Sequence, residues 1–166
     1  TAYRNGKRYI EQFQEVDIDS AQDNDIHIRE GGVYVITGGT GGIGLEIGEY
    51  FASKSMVKLA FLNRSVFPPR EKWSEILEKN EDPRLSGKIK KIQAIEASGT
   101  TVEMYSVDVS DEESLRYTLN DIRLRCGKIR GVVHCAGVAG EKIILTKDEN
   151  RFNEVLRPKI EGTWLL

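Results

Sequence analysis

Four short segments carry the strongest apolar signal: Val33-Tyr34-Val35-Ile36, Val57 to Leu62, Thr101 to Val107 and Ile129 to Cys135. The first two are continuous runs, as expected of strands buried on both faces, and the third alternates. Between them the apolar spacing lengthens to that of a helix. Ile43 to Met56 sets Ile43, Ile47, Tyr50 and Phe51 on one side. Pro68-Pro69 breaks the chain, and Glu71 to Lys79 reads as a short helix with Trp73, Ile76 and Leu77 on one face. A longer helix is predicted from about Pro83 to Ser98, with Leu85, Ile89, Ile92 and Ile95 inward and Gly99 as its stop. Ser110-Asp111-Glu112-Glu113 reads as a capping box opening a helix to about Cys126. Thr146-Lys147-Asp148-Glu149 reads as another, before a helix carrying Phe152, Val155, Leu156, Ile160 and Trp164. Trp73 and Trp164 are both expected in the core. The order β-α-β-α-α-β-α-β-α predicts an α/β fold: a doubly wound parallel sheet of Rossmann type, covered on both faces.

Ahead of this pattern stands Tyr3-Arg4-Asn5-Gly6-Lys7-Arg8-Tyr9-Ile10. Asn-Gly between β-prone residues predicts a hairpin, because both turn positions need positive φ. Two strands alone are unstable in water, so this hairpin calls for a larger sheet. Residues 11–30 carry Glu11, Glu15, Asp17, Asp19, Asp23, Asp25 and Glu30 against Arg29, which reads as a solvated linker. The division expected is 1–30, the end of one subdomain plus linker, and 31–166, part of a second subdomain.

Composition narrows the function classes. The 166 residues are 39% hydrophobic and 30% charged, with a net charge of −2, which suits a folded core and excludes a basic nucleic-acid or membrane-surface binder. No apolar run approaches the roughly 20 residues of a membrane span, and no secretory leader is visible. Cys126 and Cys135 are too few for a disulfide framework, so a reduced, cytoplasmic setting is expected. His27 and His134, the only histidines, stand in different contexts, so no metal site is expected. Cys135 lacks a neighbouring base and reads as a small buried residue rather than a nucleophile. The chain starts on Thr1 and ends on Leu166, and both ends are expected to be cuts.

The candidate chemistry lies in Thr37-Gly38-Gly39-Thr40-Gly41-Gly42-Ile43-Gly44, directly after the first buried strand and opening the first helix. That is the context of a dinucleotide-binding turn. Gly38 allows the tight exit from the strand, Gly41 and Gly42 allow backbone approach to a pyrophosphate, and Gly44 allows close helix–strand packing. The helix N-terminus favours an anion there. No Lys-Ser/Thr pair follows, which excludes a Walker-type loop. The second strand ends Asn63-Arg64-Ser65, where an NAD site would place a carboxylate. A guanidinium binds phosphate by paired hydrogen bonds, so Arg64 predicts NADPH rather than NADH.

These residues resemble the short-chain dehydrogenase/reductase superfamily. Thr37-Gly38-x-x-x-Gly42-Ile43-Gly44 is similar to its cofactor turn, Asp108-Val109 to its adenine-side Asp, and His134-Cys135-Ala136-Gly137 to its Asn-Ala-Gly element. Leu156-Arg157-Pro158-Lys159-Ile160-Glu161-Gly162 resembles the form found in ketoreductase domains of modular polyketide synthases, which place Lys where typical members have Asn. The Tyr3 to Tyr9 flank resembles the segment joining their structural subdomain to the catalytic one. The insert from Phe67 to Gly99 resembles ketoreductases of bacterial assembly lines with separate acyltransferases. The resemblance covers essentially the whole chain. It implies NADPH-dependent reduction of a β-ketoacyl thioester on an acyl carrier protein, among neighbouring synthase domains and away from membranes. Thr37, Gly38, Thr40, Gly41, Gly42, Ile43, Gly44, Asn63, Arg64, Ser65, Asp108, Val109, His134, Ala136 and Gly137 would hold the cofactor, and Lys159 would be catalytic.

The family's Ser and Tyr are not found. Tyr3, Tyr9, Tyr34, Tyr50, Tyr105 and Tyr117 all precede the fourth strand, and none has Asn four residues on. The chain is therefore expected to be the leading part of a longer polypeptide. Its sheet would be incomplete at the C-terminal side, with the fourth strand an open edge. Val138-Ala139-Gly140-Glu141-Lys142 lacks the Leu-Asp-Asp marker of one product stereochemistry, which leans away from that type. The alternatives are a non-catalytic, degenerate scaffold module and a free-standing fatty-acid-type reductase. Intact glycines, Arg64 and Lys159 argue against the first, and the N-terminal hairpin argues against the second.

Overall fold

The computed structural model describes residues 1–14, 27–139 and 148–166. Strands β1 (Ala2–Arg4) and β2 (Lys7–Tyr9) form the predicted hairpin, in register Ala2↔Tyr9 and Arg4↔Lys7. Asn5 and Gly6 sit at φ 49° and 74°, the doubly left-handed turn that Asn-Gly tolerates. Most of the acidic linker lies outside the described residues, as do Gly140 to Lys142 and Thr146.

The remaining elements are β3 (Val33–Thr37), α1 (Gly42–Lys54), β4 (Lys58–Asn63), a single 3-10 turn (Arg70–Lys72) leading into α2 (Trp73–Lys79), α3 (Pro83–Ala97), β5 (Thr101–Ser106), α4 (Glu112–Arg125), β6 (Ile129–His134) and α5 (Glu149–Leu165). The sheet order is β5-β4-β3-β6, and every pairing is parallel. The two central strands alternate between two cores. Tyr34, Ile36, Leu59 and Phe61 face α1, α2 and α3, whereas Val33, Val35, Ala60 and Leu62 face Leu115, Leu119 and Ile122 of α4. This two-sided burial is why those strands read as unbroken apolar runs. Phe61 is fully buried, and burying one such ring stabilises the fold by up to about 3 kcal/mol.

Four expectations need correction. α1 does not bury the face set by Ile43 and Tyr50, which are 70% and 41% exposed. It buries Gly44, Leu45, Gly48 and Phe51. The helix turns its smallest residues to the sheet because only they allow close approach: a Cβ on Gly48 would lie 2.8 Å from the Phe61 ring. α4 is capped by Asp111, whose Oδ1 accepts from the Ser114 N–H at 3.0 Å, rather than by Ser110. α5 is capped by Asp148, which accepts from the Arg151 N–H at 2.8 Å. In both helices a carboxylate one or two places nearer the helix occupies the capping position, where its charge also meets the helix dipole. Trp73 is buried as expected, but Trp164 is 89% exposed, with Phe152 and Ile160 also on the open side of α5. Gly162 is the buried residue of α5, and Trp164, two residues on, points about 200° around the helix from it.

The edges differ. On β5, Arg70 donates to the Val102 carbonyl at 2.6 Å, pairs with Glu96 at 2.7 Å and lies over the Trp73 ring at 4.8 Å. The insert between β4 and α3 thereby shields that edge. β6 has no second strand partner among the described residues, and its Val132 is 41% exposed. No helix among the described residues is long and apolar enough to cross a membrane.

Candidate functional site

The chain runs β3, β4, β5 in one direction across the sheet and then returns to place β6 on the other side of β3. The sheet's topological switch point therefore lies between β3 and β6, where a crevice opens at the carboxyl ends of the strands. The glycine-rich turn occupies that point. Gly38 takes φ 64°, its N–H donates to the Leu62 carbonyl at 2.7 Å, and a Cβ there would stand 3.0 Å from the Ala136 nitrogen. Gly41 donates to the Gly38 carbonyl at 2.8 Å and caps α1 without a side chain, so no side chain covers the first-turn amides. Gly42 has open space where its Cβ would be. Gly39, not singled out from the sequence, abuts Phe61, where a Cβ would collide with the ring. Gly44 touches the loop rather than the strand, its Cβ position being 2.7 Å from the Gly39 Cα. The close helix–strand contact expected of Gly44 is made by Gly48.

Thr37 and His134 stand behind the crevice and tie it together. Thr37 is fully buried, and its Oγ1 accepts from the Ala136 N–H at 3.1 Å. Its own hydrogen is then free to donate to His134 Nδ1 at 2.6 Å. That leaves the proton of a neutral imidazole on Nε2, which donates to the Pro158 carbonyl of α5 at 2.8 Å. One side-chain relay thus links β3, β6 and α5.

A cleft of about 380 Å³ lies in front of this relay. Gly38, Thr40 and Gly41 form its floor, Asn63, Arg64 and Ser65 one wall, Asp108 and Val109 another, and Ala136 and Gly137 a third. Asn63 Oδ1 accepts from both the N–H and the hydroxyl of Thr40, at 3.0 and 2.9 Å, joining the end of β4 to the turn. Its Nδ2 is buried without a partner. Asp108 Oδ1 accepts from the Ser110 N–H at 2.9 Å, and Val109 packs on α5, where a Cβ on Gly162 would lie 2.8 Å from it. The sequence reading missed Lys88 of α3 and Arg157 and Pro158 of α5, which also line the cleft. All three sit far along the chain from the glycine turn; Arg157 and Pro158 fall in the motif around Lys159 but were given no role there, and no local motif pointed to Lys88. Ile43 stands exposed at the start of α1, outside the lining.

Lys159 is exposed, and its side chain rests on Gly137: a Cβ there would be 3.3 Å from Cε and 3.7 Å from Nζ. The Cys135 thiol is pushed up by burial and pulled partly back by Lys159, so it stays protonated rather than becoming a nucleophile. Arg157 is held above its ordinary value, first by its hydrogen bond to Glu161 and more weakly by Asp108 and Asp111. Among the described residues there is no group of His, Cys, Asp and Glu that could hold a metal.

The glycine turn at the switch point of a β5-β4-β3-β6 parallel sheet marks the short-chain dehydrogenase/reductase fold. Within that class, the model of the KR domain matches residues 32–166, and the chain belongs to that family, the ketoreductase domains of polyketide synthases. It is 33% identical over 164 residues to polyketide synthase PksL of Bacillus subtilis, a match covering 96% of this chain and 4% of that protein. It is 30% identical over 146 residues to 5-methyl-1-naphthoate synthase of Streptomyces sahachiroi, covering 88% of this chain and 8% of that one. A ketoreductase domain from the bacillaene assembly line superposes with a TM-score of 0.71 at 27% identity, over 98% of this chain and 34% of that structure. The chain thus spans a small part of its relatives and about a third of that solved domain.

Proposed function

We propose that this chain is the cofactor-binding part of an NADPH-dependent ketoreductase that reduces a β-ketoacyl thioester, carried on an acyl carrier protein, to the β-hydroxyacyl thioester within a cytoplasmic polyketide synthase. The observation that carries this reading is the single cleft that joins the side-chain-free start of α1, the cation Arg64 and the Gly137 turn on which Lys159 rests. The residues fit such a ligand. The start of α1 has no capping side chain and no acid in its first turn, and the space before Gly42 is open, which suits a pyrophosphate. The buried, unpartnered Asn63 Nδ2 is a donor held at the same wall.

Bound NADPH would supply the hydride. The backbone around Gly41 and Gly42 would hold the pyrophosphate, Arg64 the 2′-phosphate and Asp108 the adenine side. Lys159 places an ammonium beside Gly137, where positive charge favours a neighbouring phenolate and so a phenol able to give its proton to the carbonyl oxygen. Neighbouring synthase domains and the carrier protein would be its partners. The test is NADPH oxidation by the full-length protein with a β-ketoacyl thioester. Turnover is expected, and Lys159→Ala should lower kcat by about 100-fold. An intact protein that consumes no NADPH would overturn the reading.

A further inference from the structure

We infer that Lys88 of α3 is a second phosphate-binding cation of the cleft, closing with Arg64 on the cofactor's 2′-phosphate and so setting the preference for the phosphorylated dinucleotide. The inference rests on the NADPH reading above and extends it to a residue on an element that the glycine motif does not include.

Lys88 and Arg64 reach the same cleft from different elements. Arg64 follows β4, and its backbone is held by the Ser106 hydroxyl, which donates to the Arg64 carbonyl at 3.2 Å. Lys88 stands on a helix whose position is fixed: Ile89 and Ile92 are fully buried, and Asp82 caps the helix through the N–H groups of Arg84 and Leu85.

The charge pattern favours an anion from outside the chain. Some long cations near α3 have acids, whereas Arg84, Lys88 and Lys90 of the helix itself have none among the described residues. Lys91, one turn along the same helix, pairs with Glu46 and with Glu49 at 3.7 Å, which satisfies the acids of α1. Arg70 pairs with Glu96. Among the described residues neither Lys88 nor Arg64 has such a partner. Lys88 is half-buried and lines the cleft, so its side chain is held at the wall where an anion would meet its ammonium. The acids that share the cleft are engaged elsewhere. Glu154 pairs with Arg151 at 2.7 Å, and Asp108 accepts from the Ser110 N–H. A phosphate monoester carries nearly two negative charges and can take hydrogen bonds from both a guanidinium and an ammonium. The ribose of an unphosphorylated dinucleotide offers neither cation a charge.

The test is titration of the full-length protein with NADPH and NADH, followed by competition with 2′,5′-ADP and 5′-AMP. Lys88→Gln should weaken NADPH and 2′,5′-ADP by about tenfold, the scale of one hydrogen bond to a charged group, while changing NADH and 5′-AMP by less than about twofold. Lys88→Arg should restore most of the loss. Equal weakening of NADPH and NADH, or no weakening of NADPH, would overturn the role of Lys88. Arg64→Gln separates the two levels. If Arg64→Gln abolishes the preference and Lys88→Gln leaves it intact, only this inference fails. A wild-type protein that binds both dinucleotides equally removes the cofactor reading and this inference together.

Discussion

At the scale of single residues, the fold buries some polar side-chain atoms with partners and others, such as Asn63 Nδ2 and Ser86 Oγ, without one among the described residues. Thr37 is fully buried, and its hydroxyl hydrogen has His134 Nδ1 as its acceptor. His134→Ala would strand that hydrogen and leave the Pro158 carbonyl without its imidazole donor, at a cost of about 1–3 kcal/mol. A lowered Tm is the expected readout. His134→Phe, which fills the space without the nitrogens, should not recover the loss, and a full recovery would mean that volume rather than hydrogen bonding matters at this position. Tyr105 is the opposite case, since its buried hydroxyl has no well-formed hydrogen bond among the described residues, Asp121 being only a weak neighbour. Burial pushes its pKa from 10 to about 12, with Cys126 adding to the shift. A group raised on folding stabilises the fold fully below its unfolded value and loses that contribution as pH climbs through the folded value. Stability should therefore fall between about pH 10 and 12, and Tyr105→Phe should lessen that fall in thermal melts across the alkaline range. Neither relationship was visible in the sequence. Thr37 and His134 were named from their motifs, but the bond to Pro158 depends on how α5 crosses β6.

At the scale of elements, legibility tracked burial. β3 and β4 were legible because both faces are covered, so Val33 to Ile36 and Leu59 to Leu62 are unbroken apolar runs. The inward side of α3 was legible because isoleucines recur at helical spacing along it. The packing of α1 was not, because close approach to the sheet selects glycine, and a hydropathy pattern cannot rank glycine as inward. The same holds for α5, where the contact residue Gly162 gave no apolar signal and Trp164 gave a misleading one. Gly162 therefore makes a sharp test of how α5 is seated. Valine there would drive a side chain into Val109, 2.8 Å from the Cβ position, and force the helix off the loop after β5. Overpacking of this kind costs about 1–3 kcal/mol. Denaturant midpoints should fall accordingly, and because Val109 lines the cleft, dinucleotide affinity should fall too. Gly87→Ala, on the open surface of α3, should leave dinucleotide affinity unchanged and raise the midpoint by the equivalent of about 0.5–1 kcal/mol, as a helix-interior Gly→Ala change does. A Gly162→Val protein as stable as wild type would show that α5 does not rest on the loop.

At the scale of the whole molecule, the cleft is where the two cores meet. The α1–α3 layer supplies Lys88, the strand ends supply Asn63, Arg64 and Asp108, and α5 supplies Arg157 and Pro158 from the other layer. A ligand spanning those walls binds the folded state only and stabilises each wall by mass action. The helix α5 is coupled to the rest through several contacts, among them the His134–Pro158 bond, the Gly162–Val109 packing and Leu165 against the second core. Amide exchange with saturating NADPH should therefore slow in the Thr37–Gly44 turn, in the loop from Val107 to Ser110 and along Glu149–Leu165. At about ten times Kd the slowing of amides that exchange by opening these walls should be about tenfold. Residues 1–14, whose exposed hairpin contributes nothing to the cleft, should exchange at the same rate with and without the dinucleotide. Protection confined to the glycine turn, with α5 unchanged, would mean that the cofactor grips the first β-α unit alone. Lys159 would then be positioned independently of the His134–Pro158 and Gly162–Val109 contacts.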